Sequence, residues 1–116
     1  MSVPTVADVK ANLILEGTAD DGLISSLISA AVSYAEDYQH LGEGYYTTIP
    51  AGATTAPAMP ASTHQAIVML ASRWYESRDG GSGGFYADRA DVGQYADEVV
   101  HRLLRMNRAP EGWVSA

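Results

Sequence analysis

The chain has 116 residues, of which 47% are hydrophobic and 18% charged, with a formal net charge of −7. This composition excludes a disordered chain, and the absence of cysteine excludes disulfides and thiolate metal sites. We therefore predict one folded domain over residues 1–116, with a core so small that association with other copies would help to stabilise it. No apolar run reaches the roughly 18 residues that cross a bilayer, so no membrane partner is expected.

Apolar residues recur at helical spacing in four segments, which predicts an all-α, compact bundle of about four helices. The segments are 5–15, 19–41, 61–78 and 90–107. In the first, Thr5 is the expected cap, Asp8 suits the positive end of the helix dipole, and Gly17 is the expected end. In the second, we expect Thr18 to cap the helix and Gly42 to stop it.

The third segment starts at Pro60 and contains Ser62 and Gln65 at the spacing of a capping box. Its apolar residues extend almost all round, which predicts either a central position or a second side covered by a neighbouring subunit. In the fourth segment, Leu103 and Met106 are expected to pack inward, which directs the arginines outward: Arg102, Arg105 and Arg108.

Two long loops and a tail connect and follow these segments. The loops are 42–59 and 79–89, whose Gly, Ala, Thr and Pro content predicts flexibility, and the tail is 109–116. Within the first loop, "YYTTI" has the β-propensity of one short strand, which leaves room for a short hairpin.

Catalytic and metal-binding patterns are sparse. Glu36 and His40 are four residues apart on one helix, a spacing that suits two metal ligands, but no second pair accompanies them. A solvated helix end is the simpler interpretation of this pair. An enzyme that uses Glu36, His40 or His101 therefore ranks below non-enzymatic functions, and no cofactor is expected.

Charge and aromatic residues indicate a binding protein instead. Residues 73–116 carry six arginines interleaved with seven acids, so we read the arginines first as surface ion pairs and second as a binding patch. Sequence-specific binding of nucleic acid is not expected. Five aromatic residues lie in predicted loops or the tail, and each either packs on the core of its own chain or anchors an interface: Tyr45, Tyr46, Phe85, Tyr86 and Trp113.

The order of these elements resembles the head–tail connector proteins of phages and prophages over roughly residues 4–108. The resemblance rests on "TVADVKANLIL", on "DDGLISSLISAAVSYAEDY", on "AIVMLASRWYESRDG" after a proline, and on "VVHRLLRMNR". The Ala/Thr/Pro-rich stretch 51–59 and the glycine run 80–84 depart from the family pattern.

The resemblance implies a structural adaptor in the virion, assembled in the cytoplasm of the bacterial host, without chemistry or cofactor. Copies would form a ring that matches the symmetry of the portal protein, contacts the next head-completion or tail protein, and lets DNA pass through its channel. The interface residues that we predict on these combined grounds are Tyr45, Tyr46, Tyr75, Glu76, Arg78, Phe85, Tyr86, Arg102, Arg105, Arg108 and Trp113. Arg78 has a second interpretation, in which it complements the dipole of its own helix. The alternative function is a small regulatory binding protein that acts as a monomer or dimer.

Overall fold

The structure is a computed structural model that describes residues 2–77 and 90–108, including side chains of the last helix from Glu98 onward. These residues form four helices and no strand, which confirms the all-α prediction. The helices are α1 (Val6–Leu13), α2 (Asp21–Tyr38), α3 (Ala61–Glu76) and α4 (Ala90–Arg105). The short strand predicted in "YYTTI" is wrong, because residues 43–47 form turns.

Helix α1 begins as predicted and ends earlier than predicted. The Thr5 hydroxyl accepts a hydrogen bond from the Asp8 amide at 3.3 Å, and the Asp8 carboxylate accepts one from the Thr5 amide at 2.9 Å, which together make a capping box. The helix ends at Leu13 rather than near Gly17, and Ile14 takes a left-handed conformation (φ 55°, ψ 48°). Lys10 helps to hold this turn, because its ammonium donates to the Gly17 carbonyl.

Both predicted ends of α2 are wrong. Its N-cap is Asp20, whose side chain makes no capping hydrogen bond and instead accepts one from the Tyr75 hydroxyl. The helix ends at Tyr38, before Gly42, because Gln39 turns its side chain into the core and His40 adopts a positive φ of 61°.

Helix α3 occupies the centre of the bundle and packs against α1, α2 and α4. The sequence left open whether this helix is central or has its second side covered by a neighbouring subunit, and the structure shows the central position. The predicted capping box is wrong, because the N-cap is Pro60 and both Ser62 and Gln65 lie inside the helix. Eight of its residues are buried: Thr63, Ala66, Ile67, Val68, Leu70, Ala71, Ser72 and Tyr75.

The loop between α2 and α3 contributes to the core. Tyr46 and Met59 are buried, at 5% and 2% exposed. The Glu36 carboxylate, itself 2% exposed, accepts hydrogen bonds from the amides of Gly44 and Tyr46, each at 3.0 Å. The first part of the loop that we predicted to be flexible is thus tied to α2 by a buried acid.

Candidate interaction surface

The structure describes seven of the eleven predicted interface residues. Four of the eleven lie outside the described residues: Arg78, Phe85, Tyr86 and Trp113. The other seven are a buried pair, two accessible residues (Tyr45 in the loop after α2 and Glu76 at the end of α3), and three arginines in or just after the last turn of α4.

The buried pair is Tyr46 and Tyr75, which are 5% and 8% exposed. The Tyr46 hydroxyl donates to Gln39 Oε1 at 2.6 Å, and burial raises the pKa of this phenol. The Tyr75 hydroxyl donates to the Asp20 carboxylate. Both side chains therefore pack and form hydrogen bonds within their own chain. For Tyr46, this is the first of the two interpretations given in the sequence analysis, packing on the core of its own chain.

Tyr45 and Glu76 remain accessible. Tyr45 is 39% exposed and packs edge-on against Tyr46, with ring centroids 5.1 Å apart and an interplanar angle of 86°. Glu76 is exposed at the last position of α3. The buried ring of Tyr46 therefore supports a neighbouring ring that can contact a partner.

Three stacked rings join α2 to α4. Tyr38 and His101 have ring centroids 4.9 Å apart with planes 3° from parallel, and Tyr34 stacks with both at 6.5 Å and 6.1 Å. The Tyr34 hydroxyl lies 2.6 Å from His101 Nε2. Such offset stacks stabilise a surface and restrict its side chains.

Two predicted arginines extend this stack at the C-terminal ends of α2 and α4. The Arg108 guanidinium lies 4.7 Å from the centre of the Tyr38 ring, and its Nη2 lies 2.9 Å from His40 Nε2. Because a guanidinium only donates, His40 Nε2 is the acceptor and carries no proton in this arrangement. Arg105 Nη2 donates to the Tyr38 hydroxyl at 3.4 Å. We call Tyr34, Tyr38, His40, His101, Arg105 and Arg108 the aromatic–arginine surface.

A cleft of about 480 Å³ is lined by α2, the loop that follows it and α3, and we call it the α2 cleft. Its walls are partly aromatic, and its lining includes Ala30, Ser33, Tyr34, Asp37, Glu43 and Trp74. Asp37 and Glu43 are exposed, and neither forms an ion pair with another residue that the structure describes. The cleft therefore combines apolar side chains with two carboxylates that form no ion pair within the described part of the chain.

Arg102 in the last turn of α4 and Met106 just beyond the helix form an exposed surface of opposite character, which we call the α4 ridge. The prediction that Met106 packs inward is wrong, because its side chain is 69% exposed. The helix ends at Arg105, so Met106 lies in the following turn, out of register with the buried positions. Leu104, 1% exposed, fills the core, and Leu103 packs partly against it.

The structure gives Glu36 and His40 other contacts than a shared metal ion. Both Glu36 carboxylate oxygens accept amide hydrogen bonds, and His40 lies beyond the helix with a positive φ. The solvated helix end is wrong, since Glu36 is buried. Among the side chains that the structure describes, in residues 2–77 and 98–108, no group of three or more His, Asp or Glu is arranged to hold a metal ion.

The aromatic–arginine surface was only partly predictable. Tyr34 and Tyr38 fit the helical repeat of apolar residues in segment 19–41, and His101 was considered only as a catalytic candidate. The sequence did contain a signal for this surface, namely a spacing of four residues within each helix. Tyr34 and Tyr38 have this spacing in α2, and His101 and Arg105 have it in α4.

The model of one protein family matches residues 4–106, and its description is phage gp6-like head-tail connector protein. This match confirms the resemblance and spans all four helices. No curated protein and no solved structure matches the chain. In the described residues, no helix has the length and apolar character needed to span a membrane. The chain belongs to the phage gp6-like head-tail connector family, a family of structural phage proteins.

Proposed function

We propose that this chain is an adaptor that forms a ring beneath the portal of a tailed phage or prophage and joins the head to the tail. The observation that carries the proposal is the family match over residues 4–106, which includes every described helix. In this role the ring matches the symmetry of the portal, and the next head-completion or tail protein binds its other side. The protein assembles in the cytoplasm of the host and becomes part of the virion.

The exposed side chains support an interaction role. Large apolar side chains reach solvent at Tyr45, Ile49 and Met106, which are 39%, 57% and 69% exposed. Exposed aromatic and arginine side chains are the types enriched where proteins meet. We propose that the accessible members of the predicted interface are Tyr45, Glu76, Arg102, Arg105 and Arg108.

The net charge of −7 suits the wall of a DNA channel. A surface of like charge repels phosphates, so DNA slides past without being held. The arginines at the end of α4 are then available for acidic groups of protein neighbours rather than for DNA.

A deletion in the phage or prophage genome tests the proposal. Without this gene, we expect induced cells to contain heads and tails that do not join, as seen by electron microscopy, and an infectious titre reduced by several orders of magnitude. Expression of the wild-type chain from a plasmid restores the titre, whereas the same plasmid with a stop codon at Lys10 does not. A deletion strain that yields joined, infectious particles at the normal titre contradicts the proposal.

A further inference from the structure

We infer that the α2 cleft of one copy receives the α4 ridge of a second copy, an inference that rests on the ring assembly proposed above. The lining of the cleft offers two exposed acids, Asp37 and Glu43, together with the aromatic rings of Tyr34 and Trp74. The ridge offers an exposed base, Arg102, next to an exposed thioether, Met106. The two surfaces are complementary in charge and in the chemistry of their apolar parts.

The charged side chains that would meet in this contact have no ion-pair partner among the described residues. Asp37 and Glu43 form no ion pair there, and neither does Arg102. Glu36, which also lines the cleft, is different, because its carboxylate is occupied by the amides of Gly44 and Tyr46. An arginine entering the cleft therefore meets Asp37 and Glu43, and charge-assisted hydrogen bonds to carboxylates are among the stronger polar contacts.

The apolar parts of the two surfaces also fit together. Tyr34 is 38% exposed and meets Trp74 edge-on, with ring centroids 6.2 Å apart. Methionine sulfur packs favourably at the edges of aromatic rings, and its unbranched side chain adapts to irregular gaps. Arg102 lies in the last turn of α4 and Met106 in the turn that follows, and both side chains are exposed, so one cleft can receive them together. This contact would remove from water a methionine that is otherwise 69% exposed.

The proposed contact joins two different surfaces: the cleft of one copy and the ridge of the next. Helices α2 and α4 both pack against α3. The cleft is lined by α2, the following loop and Trp74, whereas the ridge lies at the end of α4, so the two surfaces share no residue. A copy that inserts its ridge into one neighbour still has its own cleft available for another. Such head-to-tail contacts generate a ring when the rotation closes.

Charge reversal tests the inference. We expect Asp37→Arg and Arg102→Glu each to weaken assembly at least tenfold in the concentration required, measured by mass photometry. The double variant D37R/R102E, and an equal mixture of the two single variants, should regain assembly because each restores opposite charges across the contact. Glu16→Arg, which reverses an exposed acid in the segment between α1 and α2, is the matched control and should assemble like the wild type.

A cross-linking experiment identifies the contacting surfaces directly. Since the chain has no cysteine, Asp37→Cys and Arg102→Cys introduce single thiols without background. Chains of each variant, distinguished by a mass tag, are mixed and treated with a short bismaleimide. We expect covalent heterodimers in the mixture and few homodimers in either variant alone.

The outcomes separate the inference from the proposed function. If the wild type stays monomeric with and without portal protein, ring assembly fails and the inference fails with it. If the wild type assembles and both reversed variants assemble equally well, only the inference is overturned. If Asp37→Arg lowers the melting temperature of the monomer and leaves assembly intact, Asp37 stabilises its own chain rather than a contact between copies, and the inference is again overturned.

Discussion

Replacing Gln39 with methionine would remove three buried hydrogen bonds while preserving most of the side-chain volume. Gln39 is fully buried. Its Nε2 donates to Thr63 Oγ1 at 2.8 Å and to the Leu104 carbonyl at 3.0 Å, and its Oε1 accepts from the Tyr46 hydroxyl at 2.6 Å. One side chain thus connects α2 to the following loop, to α3 and to α4.

The expected loss follows from the groups left without a partner. An unsatisfied buried polar group costs about 1–3 kcal/mol, and Gln39→Met affects three of them. The Tyr46 hydroxyl loses its acceptor but can rotate toward another, and the Thr63 hydroxyl loses a donor but can still donate, so we count the full cost for about one or two groups. The added apolar burial of methionine offsets about 1 kcal/mol. We therefore expect the free energy of unfolding to fall by about 2–4 kcal/mol.

Urea denaturation followed by circular dichroism measures this loss. With a slope of about 1–3 kcal/mol per molar urea for a small protein, the midpoint should fall by about 1 M or more. Gln65→Met is the matched control, because Gln65 is exposed on α3, and it should change the free energy by less than about 0.5 kcal/mol.

A double-mutant cycle with Tyr46→Phe tests the reasoning further. The hydroxyl of Tyr46 lacks its partner in Gln39→Met, so removing that hydroxyl should cost less in the variant than in the wild type. The reasoning is refuted if Gln39→Met unfolds at the wild-type urea concentration, or if the two substitutions are additive.

Two further predictions concern carboxylates that bind backbone amides. Glu36→Gln should accelerate hydrogen exchange at the Tyr46 amide by at least tenfold, because a glutamine side chain supplies one acceptor oxygen instead of two; unchanged exchange would show that the loop is held by other contacts. The hydrogen bond from the Thr5 backbone amide is the main cause that lowers the pKa of Asp8 below its usual 3.8. A lowered folded-state pKa stabilises the protein above the unfolded value and loses that contribution as pH falls through the folded value. The stability advantage of the wild type over Asp8→Asn, measured by urea denaturation, should therefore shrink between about pH 5 and pH 3, and an advantage that is constant across this range would contradict the assignment.

Local features of the fold were predictable because their causes lie close together in the chain. The capping box joins Thr5 to Asp8, three residues apart, and the repeat of apolar residues in 61–78 predicted a helix that the structure places at the centre of the bundle. In both cases the interacting residues share one helix, so the pattern alone contains the information.

Helix ends and the interaction surface depend on distant partners. The end of α2 reflects the burial of Gln39, whose partners are 7, 24 and 65 residues away in the chain. The stack of Tyr34 and Tyr38 on His101 joins residues more than 60 positions apart. Such pairings follow from tertiary packing, which no repeat within one segment encodes.

Native mass spectrometry of the purified chain, alone and with the portal protein of the same phage, tests the central claim most directly. We expect one closed oligomer, built from 12.3 kDa copies, that binds the portal in a number set by the symmetry of the portal. A chain that remains a monomer or dimer at every concentration, even with the portal present, would contradict the adaptor and favour a small regulatory binding protein.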